Sequence, residues 1–412
     1  MATHALALPA PHQNDADRSP SSSTLPDPGC LDPSHLGPLP QIPLIPEALR
    51  RQHHVFIPAD HRFKAAARFL QALWREDRDL PIGTLGEPPG PRRKLGSLIS
   101  SKAGELGGNF IDPEILPVVN RALVYRELGA VYELDRLKLN LLSSQPLVFN
   151  AFGHLARDLA FATRFVDALL PGLMAEVTHV LFEHSPGRGD PRFTQDGTAW
   201  DLAIRGRSAT GQRVFIGVEA KYSEGCQEPL PRFSGRCAEI APTAGLFVDP
   251  ADPRLFRNPV QQLLRQHCLG ATLLDADLAD TAMQLLIAPA HNHLVTAAAA
   301  SYARLLSDPV QGRIPFIYLT LEQVFAALAT AGRPDTARAL HRRYTDLWLI
   351  DGELGLEEAP APASAAPAAA APTPAVINHP EAPSPTAGSS LRPTATQRTK
   401  RSAKARSAAT AA

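Results

Sequence analysis

The stretch Trp200–Tyr222, WDLAIRGRSATGQRVFIGVEAKY, reads as two strands joined by a short turn, RSATGQ. Side chains alternate across a strand with a period of two. In the second strand, expected over Arg213–Tyr222, Val214, Ile216, Val218 and Ala220 share an apolar face. Phe215, Gly217, Glu219 and Lys221 share the other. In the first, expected over Trp200–Gly206, Leu202 and Ile204 join the apolar set and leave Asp201, Ala203 and Arg205 opposite. The turn is short enough for a hairpin, which sets Asp201 beside Glu219 and Lys221.

Two carboxylates converging on a sheet repel unless a cation joins them. Oxygen-rich, thiol-free donors suit a hard divalent ion, Mg²⁺ or Mn²⁺, that keeps waters for a substrate. The backbone carbonyl of Ala220, between Glu219 and Lys221, offers a third oxygen. A metal held there polarises a phosphoryl oxygen and acidifies a water, while Lys221 orients that water or stabilises developing charge. Taken plainly, Glu219 and Lys221 are instead a surface ion pair on a half-exposed strand. Such pairs contribute only ~0–1 kcal/mol. Arginine would serve as well in a chain where only seven of 41 basic residues are lysines. Lys221 is the one lysine between Leu139 and Thr399.

Outward from the hairpin, LVFNAFGHLARDLAFATRFVDALL follows a serine/proline start at Ser143-Ser144-Gln145-Pro146 and reads as one amphipathic helix ending at Pro171-Gly172. Glu176–Glu183 alternates like a strand and is followed by a loop, SPGRGDPRFTQDGT. After the hairpin come a long loop and a helix over Asn258–Gly270 with glycine at its C-cap. A strand over Gln284–Ala290 follows, then IPFIYLT, whose Thr320 opens a capping box, TLEQ. Helix, three strands, helix, strand predicts an α/β fold, a mixed sheet flanked by helices. Residues 47–135 read as a helical lead-in, with helices over Phe63–Glu76 and in ILPVVNRALVYREL, broken at Gly83–Arg93.

Composition confines folding to residues 47–350. Forty prolines crowd toward both ends, so 1–46 is expected to be a disordered arm and 351–412 a disordered Ala/Pro linker with a basic tail. That tail, with Arg392, Arg398, Lys400, Arg401, Lys404 and Arg406, reads either as a solubilising segment or as a phosphate-binding arm. Acids and bases balance at 41 each. Four cysteines without CxxC spacing argue against a disulfide scaffold or structural zinc and for a reducing, cytoplasmic setting. No run is apolar enough for a membrane span, and MATHALALPAPHQ lacks the basic start of a secretory signal.

Other side chains are secondary candidates. Glu183 ends its strand next to the loop and reads either as a further metal ligand or as a solvated strand end. Arg188, Arg192, Arg205 and Arg207 suit contacts to a phosphate backbone. Gln261, Gln262 and Arg265, on the helix after the motif strand, suit a phosphate or the surroundings of Lys221, or are an ordinary polar face; Gln261 and Arg265 are four apart and share a face. The triplet His291-Asn292-His293 lacks the flanking residues of a ββα-metal nuclease finger and reads as a loop.

The D-(x)n-E-x-K pattern on this order of elements resembles the PD-(D/E)XK nuclease superfamily. LLSSQPLVFNAFGHL (Leu141–Leu155), LFEHSPGR (Leu181–Arg188), TAWDLAI, GVEAKYSE and RNPVQQLLRQH resemble, more narrowly, a bacterial group of restriction-type endonucleases, over residues 130–330. The resemblance implies a restriction-endonuclease-like core and metal-dependent hydrolysis of DNA, with Asp201 and Glu219 as metal ligands and Lys221 as the catalytic lysine. Trp200 stands where the superfamily's name has proline. Cleavage of both strands implies a homodimer. The rival reading is a non-catalytic nucleic-acid-binding protein that retains the fold.

Overall fold

The computed structural model of the 412-residue chain describes residues 39, 41–86, 90–228 and 235–355. Most of the expected arm and all of the basic tail lie outside the described residues. The arm's last residues are packed, with Ile42 and Ile45 buried in the main core.

The lead-in begins with α1 (Glu47–Gln52) and α2 (Arg62–Glu76), the latter buried along most of its length. It is not helical throughout. Gly83, Thr84, Leu85 and Arg93, from the segment expected only to break α2, belong to an antiparallel pair of strands, β1 (Ile82–Leu85) and β2 (Arg93–Ile99). Three helices follow: α3 (Ser101–Glu105), α4 (Ile115–Val124) and α5 (Leu134–Leu139).

The helix expected as one piece is two, α6 (Ser144–Arg157) and α7 (Leu159–Leu169). Asp158 breaks it: its carboxylate accepts from the Phe161 N–H at 2.8 Å, so it caps α7 and turns the chain out of α6. The apolar periodicity runs through the break and conceals it.

Three strands then follow, each antiparallel to the next: β3 (Glu176–His184), β4 (Trp200–Arg207) and β5 (Arg213–Ala220). After α8 (Cys237–Ile240), α9 (Gln261–Asp275) carries the chain to β6 (Thr281–Ala288), parallel to β5. Then α10 (His293–Ala303) carries it to β7 (Phe316–Thr320), parallel to β6. The sheet order is β3-β4-β5-β6-β7. Next come α11 (Leu321–Thr330), opened by the expected capping box at Thr320 and Gln323, then α12 (Pro334–Tyr344) and α13 (Trp348–Glu353).

Helix α9 starts three residues later than expected and runs through Gly270 rather than stopping there. Gly270 serves packing. A Cβ at that position would lie 3.1 Å from Ile314 Cδ1 and 3.9 Å from Trp200 Cζ2.

The face alternation read from the hairpin holds. Leu202, Ile204, Val214, Ile216, Val218 and Ala220 pack with Leu147, Phe165 and Phe325 of α6, α7 and α11. Ala203 and Phe215 pack on the opposite side with Leu263, Leu264 and Cys268 of α9 and Val295 and Ala299 of α10. Both faces are therefore covered, and the strand bearing Glu219 and Lys221 is not half-exposed. Trp200 fills the layer between the sheet and α9. Its ring lies 4.8 Å from Phe215, and a Cβ on Gly217 would meet its Nε1 at 2.4 Å. A strand glycine is needed there because an indole occupies the space a side chain would take.

Candidate active site

The β4–β5 ladder closes on the Leu202–Val218 pair, and Asp201 and Glu219 are the next residue of each strand beyond it. On the other side Phe182 pairs with Leu202 and His184 with Trp200, which sets Glu183 opposite Asp201. Three carboxylates thus form a row across three neighbouring strands. Asp201 is fixed by the strand it faces: its Oδ2 accepts the Ala220 N–H at 2.8 Å. Glu183, next to last in β3, has a left-handed backbone (φ 50°).

Lys221 lies just past the end of β5 but stays on the ladder, donating its N–H to the Ile287 carbonyl at 2.8 Å. Its Nζ lies 2.7 Å from Glu219 Oε1. Glu219 is 3% exposed and Lys221 13% along their side chains, so neither charge is freely solvated. Two glutamines from α9 complete the surroundings. Gln262 donates its Nε2 to Glu219 Oε1 at 2.7 Å and accepts from Lys221 Nζ through Oε1 at 2.9 Å. Gln266, one turn on, donates to Glu219 Oε2 at 2.5 Å and to the Ala199 carbonyl at 3.0 Å. Gln266 is held in turn by Gln284 of β6, at 3.2 Å.

Concentrated negative charge shows in the protonation of the row. Burial, then the Glu219 and Glu183 charges, pushes the Asp201 carboxyl well above its ordinary range. Burial, then Glu219, pushes Glu183 up to about 7. Burial works against the Lys221 ammonium, but Glu219 and Asp201 outweigh it and hold the lysine firmly protonated.

The remaining candidates fall into place less uniformly. Arg188 donates to the carbonyls of Gly197 and Glu183, at 2.9 Å each, and pairs with Glu127 at 3.7 Å, so it braces the loop after β3. Arg205 lies four residues along β4 from Asp201, roughly 13 Å away, and reaches the Leu278 carbonyl at 3.4 Å. Arg192 pairs with Asp190 beside it. Arg265 faces Asp196 at 3.5 Å, and Gln261 is buried at the start of α9. The α9 face that meets the acids is therefore 262/266, one residue round from the 261/265 face picked out in the sequence. The double serine has two roles. Ser143 caps α6, and Ser144 donates its N–H and Oγ to Glu224 Oε1 at 3.3 and 3.1 Å. Glu224 also accepts the Tyr222 N–H at 2.9 Å, tying the chain just past Lys221 to the first turn of α6. Gln262 was among the residues expected around Lys221, whereas Gln266 and Glu224 were not singled out in the sequence.

The model of the PD-(D/E)XK nuclease superfamily matches residues 58–346. This chain belongs to that superfamily. The match begins just before α2 and so covers most of the segment read as the lead-in. No curated protein and no solved structure matches the chain. Among the described residues no helix is long and apolar enough to cross a membrane.

Nucleases of this superfamily generally use divalent metal ions. The donors at the row fit such an ion chemically: hard carboxylate oxygens with no thiol or imidazole among them, with Asp201 and Glu183 raised first by burial and then by their acidic neighbours. Among the described residues no three His, Cys, Asp or Glu side chains are already drawn into a ligating cluster. In this arrangement Lys221 and the two glutamines meet the hydrogen-bonding needs of Glu219.

Proposed function

We propose that the protein is a Mg²⁺-dependent, Mn²⁺-tolerant DNA endonuclease of restriction or related DNA-processing type, acting in the cytoplasm. The observation that carries this reading is the row Glu183–Asp201–Glu219 with the Lys221 ammonium at its end. Superfamily membership supports hydrolysis of phosphodiesters, and the row supports a cation-assisted route.

Asp201, Glu219 and the Ala220 carbonyl are the residues that would hold the ion, with Glu183 as the fourth oxygen donor. A divalent ion there supplies Lewis acidity to the phosphoryl oxygen and lowers the pKa of an attacking water. Asp201 is pre-positioned by the Ala220 N–H, which leaves little side-chain freedom to lose on binding. Lys221 carries a permanent positive charge to the reacting phosphate, where it stabilises charge that grows in the transition state. Gln262 fixes the ammonium relative to Glu219, so two groups with different tasks keep one geometry. Glu224 and Ser144 anchor the chain immediately after Lys221. A homodimer would bring two such rows to the two strands of a duplex.

The test is cleavage of supercoiled plasmid in Mg²⁺ by the full chain, beside Lys221→Ala and Asp201→Asn. The reading requires nicking or linearisation by the parent and its loss in both variants. Cleavage by Lys221→Ala at the parental rate would overturn it.

A further inference from the structure

The connection from the end of α4 to the start of α5, Val124 to Leu134, carries its apolar side chains on the outside. Val124, Tyr125, Leu128, Val131 and Leu134 are all exposed, Leu128 at 98%. Thirteen large apolar side chains are exposed among the described residues, and no other stretch of this length holds two of them. Single exposed apolar side chains are ordinary, whereas a concentration of them marks a surface that meets something. The polar side chains of the segment turn inward. Glu127 bonds the His184 ring, accepts the Ser185 N–H at 2.9 Å and pairs with Arg188 at 3.7 Å. The Tyr132 hydroxyl donates to the Phe182 carbonyl at 3.3 Å. These bonds tie the segment to the end of β3, so its apolar side chains are held outward by the fold.

The charges on this segment indicate what covers it. Glu133 pairs with Arg136 at 3.0 Å, and Arg136 with Glu224 at 3.5 Å. That leaves Arg126 and Asp135, both exposed and neither in an ion pair among the described residues. They stand nine positions apart, with Leu128, Val131 and Leu134 between them. One unmatched cation and one unmatched anion across an apolar centre make a surface complementary to itself. Turned about a two-fold axis, the basic end of one copy meets the acidic end of the other, twice. A polyanion would be repelled by the acidic end, and a partner of unrelated sequence has no need of that balance.

We propose that Val124 to Asp135 is a two-fold docking surface for a second copy of this chain. Leu128, Val131 and Leu134 of the two copies form its centre, and Arg126 of each copy pairs with Asp135 of the other. Through Glu127 and Arg188 the surface is bonded to the loop that follows Glu183, so the contact lies beside the acid row in both copies. Its purpose, two rows on one duplex, rests on the nuclease reading; its existence does not. The segment is shorter than the roughly 20–30 residues per side of a permanent interface, so the dimer is a reversible one that forms in the micromolar range.

The experiment is sedimentation velocity on the full chain in EDTA, without DNA, from low micromolar to near-millimolar concentration. The variants are Leu128→Glu, Arg126→Asp, Asp135→Arg and the double variant Arg126→Asp/Asp135→Arg. All four change exposed side chains, and unchanged melting temperatures confirm their folding. The expected result is a monomer–dimer equilibrium in the parent that Leu128→Glu abolishes. Each single charge variant should weaken it at least tenfold, and the double variant should restore it to within about threefold, because the swapped pair is again complementary. A parent that stays monomeric throughout would overturn the proposal. So would a dimer indifferent to Leu128→Glu, which uses another face, or a double variant no better than the single ones, which lacks the two-fold pairing. Loss of duplex binding in Leu128→Glu with no change in sedimentation would make the segment a nucleic-acid contact and overturn it too. Sedimentation does not involve cleavage, so failure here and failure of the plasmid assay are told apart.

Discussion

Lys221 Nζ and Gln262 Oε1 are joined by a 2.9 Å hydrogen bond that bridges the end of the central strand and the helix crossing over it. The same glutamine donates to Glu219, so one amide sets the spacing between an acid and a base on which the proposed chemistry depends.

Gln262→Ala removes that spacer without removing a charge. We expect catalytic turnover in Mg²⁺ to fall roughly 10–100-fold, the usual cost of losing a residue that orients metal ligands. Gln262→Glu should be no better, because it adds a fourth carboxylate. Single-turnover cleavage together with calorimetric Mn²⁺ affinity checks both, and an unaltered rate in Gln262→Ala would remove the glutamine from the site.

Asp201→Asn relieves the crowding of the row. In metal-free buffer at pH 8 its melting temperature should rise by about 2–4 °C, the shift expected from roughly 1 kcal/mol in a domain of this size. The added stability that Mn²⁺ gives the parent should vanish with it. Differential scanning calorimetry with and without Mn²⁺ reads both effects, and a drop in the metal-free melting temperature would show that the row is not strained by its charge.

Histidine 267 gives the pH dependence of stability a specific source. It is buried between the Tyr302 hydroxyl, at 2.7 Å, and the Ile314 carbonyl, at 3.0 Å, and burial lowers its pKa to about 4. The unfolded chain binds a proton near pH 6.5 and the folded one near 4, so the unfolded state gains protons first as pH falls. Stability from this group is complete above 6.5 and is lost between 6.5 and 4, by about 2 kcal/mol at pH 5. Urea unfolding at pH 7 and pH 5 should show that slope, and His267→Gln should flatten it.

Gly217→Ala should cost about 1–3 kcal/mol, because its methyl group enters the space of the Trp200 indole. Combined with Trp200→Leu, which vacates that space, the two costs should fall short of adding. Chemical denaturation of the four proteins in the cycle measures the shortfall. Strict additivity would contradict the packing described.

The acids and the lysine were legible because a strand has a two-residue period, and a hairpin with a short turn leaves little freedom in register. Asp201, Glu219 and Lys221 needed only that. Of the α9 glutamines only Gln262 was named from the sequence, in a group with Gln261 and Arg265; Gln266 was not legible in the same way. A helix turns 100° per residue, so which face meets the sheet depends on how the helix crosses it, and a long loop precedes α9. An error of one residue moved the expected face from 262/266 to 261/265. Arg188 and Glu127 illustrate a second limit, since an ion pair across 61 positions leaves no local pattern. Asp158 illustrates a third, because one capping carboxylate divides a periodic apolar segment without disturbing its period.

β5 is the middle strand of five, hydrogen-bonded to an antiparallel neighbour on one side and a parallel one on the other. Fraying from either margin of the sheet must pass through another ladder before it reaches Glu219. The amide protons of Val218 to Lys221 should therefore exchange with solvent only in global opening events. The reactive centre would then be the last part of the molecule to melt, and heat inactivation would track unfolding of the whole domain rather than loosening of a loop.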